Sequence, residues 1–283
     1  MSLAPDLLRT RPLDAGEGGL EVDLVFGQSA ATSVWAVNPL KLLVARPRGP
    51  SVWAYLSSFG GGLVAGDQTR LKLRVGARSR CFLSTQASTK VYRNPLDRTC
   101  RCEVQAQLEE DSLLVMVPDP VQAFADSLYS QHQEFHLHPT AGLVLVDWFS
   151  AGRSACGERW EFTRYESRNE VWMGNERVLT DAIRLSHEDG PMPGDHRLGR
   201  YNCFAMVTLL GPPLAEIAAR LIQAESERPV VARPAVLCGA SPLAQGAIFR
   251  VAGEQTEAVA HEIHRLLDFL PVVLDGDPLS RKW

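Results

Sequence analysis

Phe59-Gly60-Gly61-Gly62-Leu63-Val64-Ala65-Gly66-Asp67 is followed almost at once by Thr69-Arg70-Leu71-Lys72-Leu73-Arg74-Val75, and then by Phe82-Leu83-Ser84-Thr85-Gln86-Ala87-Ser88-Thr89-Lys90-Val91-Tyr92-Arg93-Asn94-Pro95. The order of these pieces decides how the glycines are read. A glycine-rich loop that cradles a nucleotide needs a helix beginning at the glycines, so that the helix N-terminus faces the phosphates. Here Arg70, Lys72 and Arg74 alternate with Leu71, Leu73 and Val75, which is the period of a half-buried strand. No Gly-Lys-Ser or Gly-Lys-Thr occurs in the chain, so a P-loop is excluded too. The glycines read as a tight turn with positive φ, closed by Asp67. Three in a row beside a lone aspartate exceed what a turn requires. They strip side chains from a patch of backbone that another group can approach closely.

Outward from this stretch, short strand-like runs dominate up to about residue 211. They fall at 21–26, 33–37, 41–45, 52–56, 71–75, 80–84, 100–107, 113–117, 133–138, 143–149, 159–165 and 204–210. Turn signals separate them: Pro47-Arg48-Gly49-Pro50, Pro118-Asp119-Pro120, His138-Pro139 and Asp189-Gly190-Pro191. Many short strands at this spacing predict a mainly β body. The last quarter differs. Pro212 and Pro213 open a helix carrying Leu214, Ile217, Ala218, Leu221 and Ile222 on one face. A second helix carries Val259, Ile263, Leu266, Leu267 and Leu270, and strands at 236–238 and 247–251 lie between the two. With no low-complexity linker and no internal repeat, the expectation is one domain over 1–283. It would comprise a β-rich body (1–211) and a helix-containing tail (212–283) packed on it.

The 283 residues are 45% hydrophobic and 22% charged, enough for a large core, and the net charge of -4 argues against a nucleic-acid partner. The first twelve residues lack the apolar centre of a secretion signal, and no apolar run is long enough to span a bilayer. The six cysteines are scattered without a Cys-x-x-Cys pair. Cys100 and Cys102 share one face of a strand, but a zinc site would need a second such pair. Free thiols in a reducing cytoplasm are the expectation.

Candidate chemistry is sparse. His136 and His138 lie on one face of a strand with His132 upstream; imidazole suits nickel, copper and zinc, but with no third ligand fixed the pattern reads first as a solvent-facing strand that carries histidines. Asp147 interrupts the apolar run Leu143-Val144-Leu145-Val146-Asp147-Trp148-Phe149. It must be hydrogen-bonded or face water, because an unpaired buried charge is very costly, or it is the outward residue of an alternating edge strand. Glu176 follows a Gly174-Asn175 turn, and Lys90 is a lone ammonium among hydroxyls. Neither Gly-x-Ser-x-Gly nor His-Glu-x-x-His occurs, so no catalytic signature is present and the chain reads as a non-enzyme.

The paired motifs Gly60-Gly61-Gly62-Leu63-Val64-Ala65-Gly66-Asp67 and Ser84-Thr85-Gln86-Ala87-Ser88-Thr89-Lys90-Val91-Tyr92-Arg93 resemble the signature of the UreD (UreH) urease accessory family. Leu145-Val146-Asp147-Trp148-Phe149-Ser150-Ala151-Gly152-Arg153-Ser154-Ala155-Cys156-Gly157-Glu158-Arg159-Trp160, Tyr201-Asn202-Cys203-Phe204-Ala205-Met206 and the terminal Ser280-Arg281-Lys282-Trp283 agree in order, so the resemblance covers nearly the whole chain. Ala65 stands where the family more often has glycine. The resemblance implies a many-stranded, β-helical-type body with two α-helices packed on it. It also implies a role in urease maturation, as a scaffold and nickel conduit between UreF, the GTPase UreG bound through UreF, and apo-urease. No cofactor would be held stably; Ni²⁺ would be transient cargo, with Asp67, Asp147 and Glu176 as the acidic positions of the passage. Gly60, Gly61, Gly62, Gly66, Thr85, Thr89, Lys90, Tyr92 and Arg93 would be the motif or channel positions, with His136 and His138 as weaker metal candidates. A protein scaffold without metal flow is the competing expectation.

Overall fold

A computed structural model describes residues 14–46, 49–153 and 156–280. The Pro47-Arg48 half of one expected turn, the first twelve residues, Ser154-Ala155 and Arg281-Lys282-Trp283 therefore lie outside the described residues. In chain order the strands are β1 (Glu17–Val25), β2 (Gln28–Ala36), β3 (Leu40–Val44), β4 (Val52–Ser58), β5 (Gln68–Val75), β6 (Arg80–Thr85), β7 (Thr89–Val91), β8 (Cys100–Leu108) and β9 (Leu113–Val117). They continue as β10 (Val121–Ala123), β11 (Leu128–Leu137), β12 (Gly142–Ser150), β13 (Arg164–Met173), β14 (Glu176–Ser186), β15 (Cys203–Leu210), β16 (Val236–Leu243) and β17 (Gly246–Gly253). The helices are α1 (Ala215–Ser226), α2 (Thr256–Leu266) and the single turn α3 (Leu270–Leu274).

From β4 to β13 the chain winds as a β-solenoid, visiting two facing sheets in turn. Strands β5, β8, β11 and β13 stack parallel in one sheet, and β4, β6, β9 and β12 stack parallel in the other. The short strands β7 and β10 pair with each other at a corner. The opposite corners repeat one device. Ser79 N donates to Gly76 O, Ser112 N to Glu109 O and Ala141 N to His138 O, and each turn then hands a hydrogen bond to the next: Leu113 N to Ser79 O at 2.9 Å and Gly142 N to Ser112 O at 2.8 Å. Antiparallel hairpins close the stack, with β1 and β2 on one sheet and β15, β17 and β16 extending the other.

Burial explains the two strand patterns. The sheet of β5, β8, β11 and β13 packs one face inward and leaves the other wet, so β5 alternates as read from sequence. The sheet of β9 and β12 is covered on both faces: Leu114, Met116, Leu143 and Leu145 meet the opposite sheet, while Val115, Val144, Val146 and Trp148 meet the helices. Every residue of β9 and β12 is therefore buried. This overturns the edge-strand alternative for Asp147, since β12 sits in the middle of its sheet between β9 and β15. The strand expected at 159–165 begins only at Arg164; Trp160 and Phe162 instead pack into an aromatic cluster with Phe149 and Tyr165. No helix among the described residues is long and apolar enough to cross a membrane.

Candidate functional site: a polar file inside the solenoid

The inward face of the solenoid is not uniformly apolar. Parallel register sets Thr69 beside Cys102, Cys102 beside Gln131 and Gln131 beside Ser167. Side chains at matched positions of a parallel sheet share a face, so these four make one row running along the stack. Two rows further, Leu73, Ala106, Phe135 and Val171 make the apolar core at the same inward face. Between them lies a mixed row, Leu71, Val104, Gln133 and Asn169. The opposite sheet contributes Asp147: Leu143 and Leu145 face inward, and the alternation of two puts Asp147 on that side as well.

Asp147 is 3% exposed, and its carboxylate accepts from three side chains: Ser167 Oγ at 2.5 Å, Asn169 Nδ2 at 2.8 Å and Gln131 Nε2 at 3.1 Å. The Tyr129 hydroxyl donates to Gln131 Oε1 at 3.0 Å, and Thr69 Oγ1 donates to Cys102 Sγ at 3.2 Å. At the start of the file Thr85 Oγ1 donates to Asp119 Oδ2 at 2.8 Å and accepts from Asp119 N at 2.7 Å. Asp147, Gln131, Tyr129, Thr69, Cys102, Thr85 and Asp119 line an inner cavity of about 140 Å³ that extends from Ser58 and Gly61 to Gln133 and Asp147, room for several waters, while Ser167 and Asn169 bond Asp147 from outside this lining. Buried Gln133 Oε1 on its wall, and Asn169 Oδ1 beside Asp147, have no hydrogen-bond partner among the described residues. Burial pushes the Asp147 carboxyl above its ordinary range; the Ser167, Asn169 and Gln131 donors oppose this, and the Asp181 charge adds to it. Burial likewise raises the Cys102 thiol and the Tyr129 phenol, so both keep their protons at neutral pH. The file thus offers hydroxyl and amide groups with carboxylates at Asp119 and Asp147, and no thiolate. Such a donor set suits a hydrated divalent ion in transit better than a soft-ligand trap.

The two sequence motifs meet in space. Leu63 N donates to Lys90 O at 2.8 Å and Tyr92 N to Leu63 O at 2.9 Å, so the glycine turn and 89–93 form one small parallel bridge. A Cβ on Gly62 would stand 2.5 Å from the Tyr92 ring and 2.8 Å from Lys90 O. Gly60, Gly61 and Gly66 have φ of 82°, 75° and 86°, and Gly61, Thr85 and Thr89 line the inner cavity. Lys90 is exposed, and Arg93 pairs at the surface with Asp126 at 3.0 Å. Asp67 accepts from Val64 N at 2.9 Å and closes the turn; it lies outside the cavity lining. Glu176 also lies outside it, exposed at the start of β14. The histidines make separate contacts: His132 with Glu170 at 3.0 Å, His136 with Glu134 at 2.7 Å while stacking on Trp172, and His138 with Thr140.

Among the described residues one group of three possible metal ligands lies within 4.8 Å: Glu225, Cys238 and Glu262. Arg228 and Arg265 each reach Glu262 at 2.6 Å, and Arg265 reaches Glu225 at 2.7 Å. Burial pushes the Cys238 thiol up to about 12. The group is therefore an ion-pair network joining α1 to α2. Sequence reading missed Asp119, Gln131, Ser167 and Asn169. Asp119 is hidden between two prolines as a turn signal. Gln131 falls outside the strand expected at 133–138, although Tyr129, Gln131, Gln133 and Phe135 have the spacing of two that marks one face.

The UreD urease accessory protein family model matches residues 15–283. A urease accessory protein UreD of Sorangium cellulosum is 45% identical over 271 residues, 95% of this chain and 85% of its own length. One from an Anaeromyxobacter species is 38% identical over 98% of this chain and 94% of its length, and the urease accessory protein D of Arabidopsis thaliana is 32% identical over 93% and 99%.

Proposed function

The chain belongs to the UreD urease accessory protein family, and on that premise we propose that it serves urease maturation in the cytoplasm as both scaffold and nickel conduit. It joins UreF, and UreG through UreF, to apo-urease, and Ni²⁺ crosses it as cargo without a resident metal site. The observation that carries the conduit is the polar file: Thr69, Cys102, Gln131 and Ser167 run along the solenoid, and the first three line, with Asp147, a cavity large enough for water. An apolar solenoid needs no such row, and burying it costs stability that an apolar row would not. Asp147 supplies the charge. Its oxygens are held by amide and hydroxyl donors rather than by a second carboxylate, so it attracts a cation without closing a cage around it.

The test is Asp147→Ala in cells that express urease with its accessory proteins. The complex should still assemble on apo-urease, while the nickel content of the purified urease falls. Normal nickel content in an assembled complex would leave the protein as a scaffold alone.

A further inference from the structure

Beside the inner cavity lies a second, larger one: an open groove of about 900 Å³ between one face of α2, from Thr256 to His264, and the ends of β10 and β12. Ser88, Asp119 and Trp148 line both, so the two spaces share one wall. That wall is firmly built. Thr85 and Asp119 bond reciprocally, and Trp148 Nε1 donates to Pro118 O at 2.7 Å. Asp119 is only 6% exposed, so its carboxylate has lost most of its water while standing between two polar spaces. On the groove side Ser150 is 3% exposed and its Oγ has no hydrogen-bond partner among the described residues, which leaves an oxygen for a ligand or its hydration shell. The described residues lining the groove carry three carboxylates (Asp119, Glu257, and Glu254, which pairs with Arg200 at 3.2 Å), two imidazoles (His261 and His264) and no lysine or arginine. Asp119 and Glu257 add negative charge to a concave surface lined, among the described residues, by no lysine or arginine, which raises the local concentration of cations.

We propose that this shared wall is a portal: a hydrated divalent cation collected in the outer groove enters the inner cavity past Ser88 and Trp148, with Asp119 the carboxylate at the wall and Asp147 the next one inside. The proposal rests on the reading of the inner cavity as a cation passage. It adds where the passage opens and which residues guard it.

Cys102 on the inner wall provides a readout that does not depend on nickel delivery. Methylmercuric chloride is small and reacts with protonated thiols; it can reach partly exposed Cys102 through the portal as well as past exposed Gly61 and Ala87, while exposed Cys156 serves as an internal control. Mass spectrometry of the folded protein follows both sites. Ser88→Leu should slow labelling of Cys102 severalfold relative to the parent protein while leaving that of Cys156 unchanged, and should lower urease nickel content. Asp119→Asn keeps the shape of the wall and removes its charge. Labelling should then be unchanged, while nickel incorporation at limiting nickel falls about threefold, the scale of one partly solvated charge. If Ser88→Leu does not fold, Ser88→Val is the smaller plug. Unchanged labelling of Cys102 in the folded plug variant, together with parent-level nickel in both variants, overturns the portal even if Asp147→Ala still lowers nickel. Slowed labelling with normal nickel in every variant, Asp147→Ala included, leaves an opening at this wall but overturns the cation passage on which the proposal rests.

Discussion

Asp147 is where the cost of a polar interior is concentrated. Desolvation lifts its carboxyl above the ordinary range despite three donors, so ionising it works against folding. The sign follows from linkage. For a group with a raised folded-state pKa, the stabilising contribution is full below the unfolded value, near 4, and is lost as pH rises through the raised value. Asp147→Asn removes that titration. Asn169 can turn its unpartnered Oδ1 toward the new amide, so the variant need not strand a donor. Chemical denaturation should therefore show the variant gaining stability relative to the parent over the range above about pH 4, where the unfolded carboxyl ionises. A difference that stays flat over this range would mean the carboxyl is not raised. The residue was legible only in part. An aspartate inside an apolar run announced itself, but its three donors sit on two other strands, and no spacing along the chain links them to it. Asp119 was silent because Pro118 and Pro120 explain its surroundings as a turn.

At the scale of elements, the glycine turn and the 89–93 strand act as one unit, and Gly62 is the point of contact. Its φ of 172° is extended backbone that any residue adopts, so the demand for glycine there is space alone. The neighbours are a ring and a carbonyl already bonded to Leu63 N, and the carbonyl cannot retreat without breaking the bridge. Gly62→Ala should lower unfolding stability by about 1–3 kcal/mol in a denaturant titration, the usual cost of overpacking. A neutral result would show that the Tyr92 side of the bridge yields freely. Sequence reading placed this turn before a strand because β5 alternates cleanly. It missed β7 and β10, since three-residue strands carry no period. The stacking of coils was equally silent in the residues: the repeated corners at 76–79, 109–112 and 138–141 are held by backbone hydrogen bonds, which different side chains satisfy alike. The β-helical body was legible only through the family resemblance.

For the whole molecule the question is whether the helical tail is a separate folding unit. Stacked coils touch only their neighbours, which alone would favour piecemeal opening. Here the tail returns across the stack. Its helices cover the sheet of β6, β9 and β12 in one apolar cluster running from Phe82 to Leu279. Ser51 Oγ, near the first coil, donates to Leu274 O at 2.9 Å, a link over 223 residues. Removing the tail would expose Val115, Val144, Val146 and Trp148 together, and burial of one such side chain is worth about 1.5–3 kcal/mol. Opening the tail alone should therefore cost nearly as much as unfolding the body. Native-state hydrogen exchange in rising denaturant should show amides of Val146 in β12 and Ile263 in α2 converging on one free energy, while the edge strand β2 exchanges through smaller openings. If the Ile263 amide reports a separate, much lower opening energy, residues 212–283 unfold on their own and the tail is a detachable cover rather than part of the core.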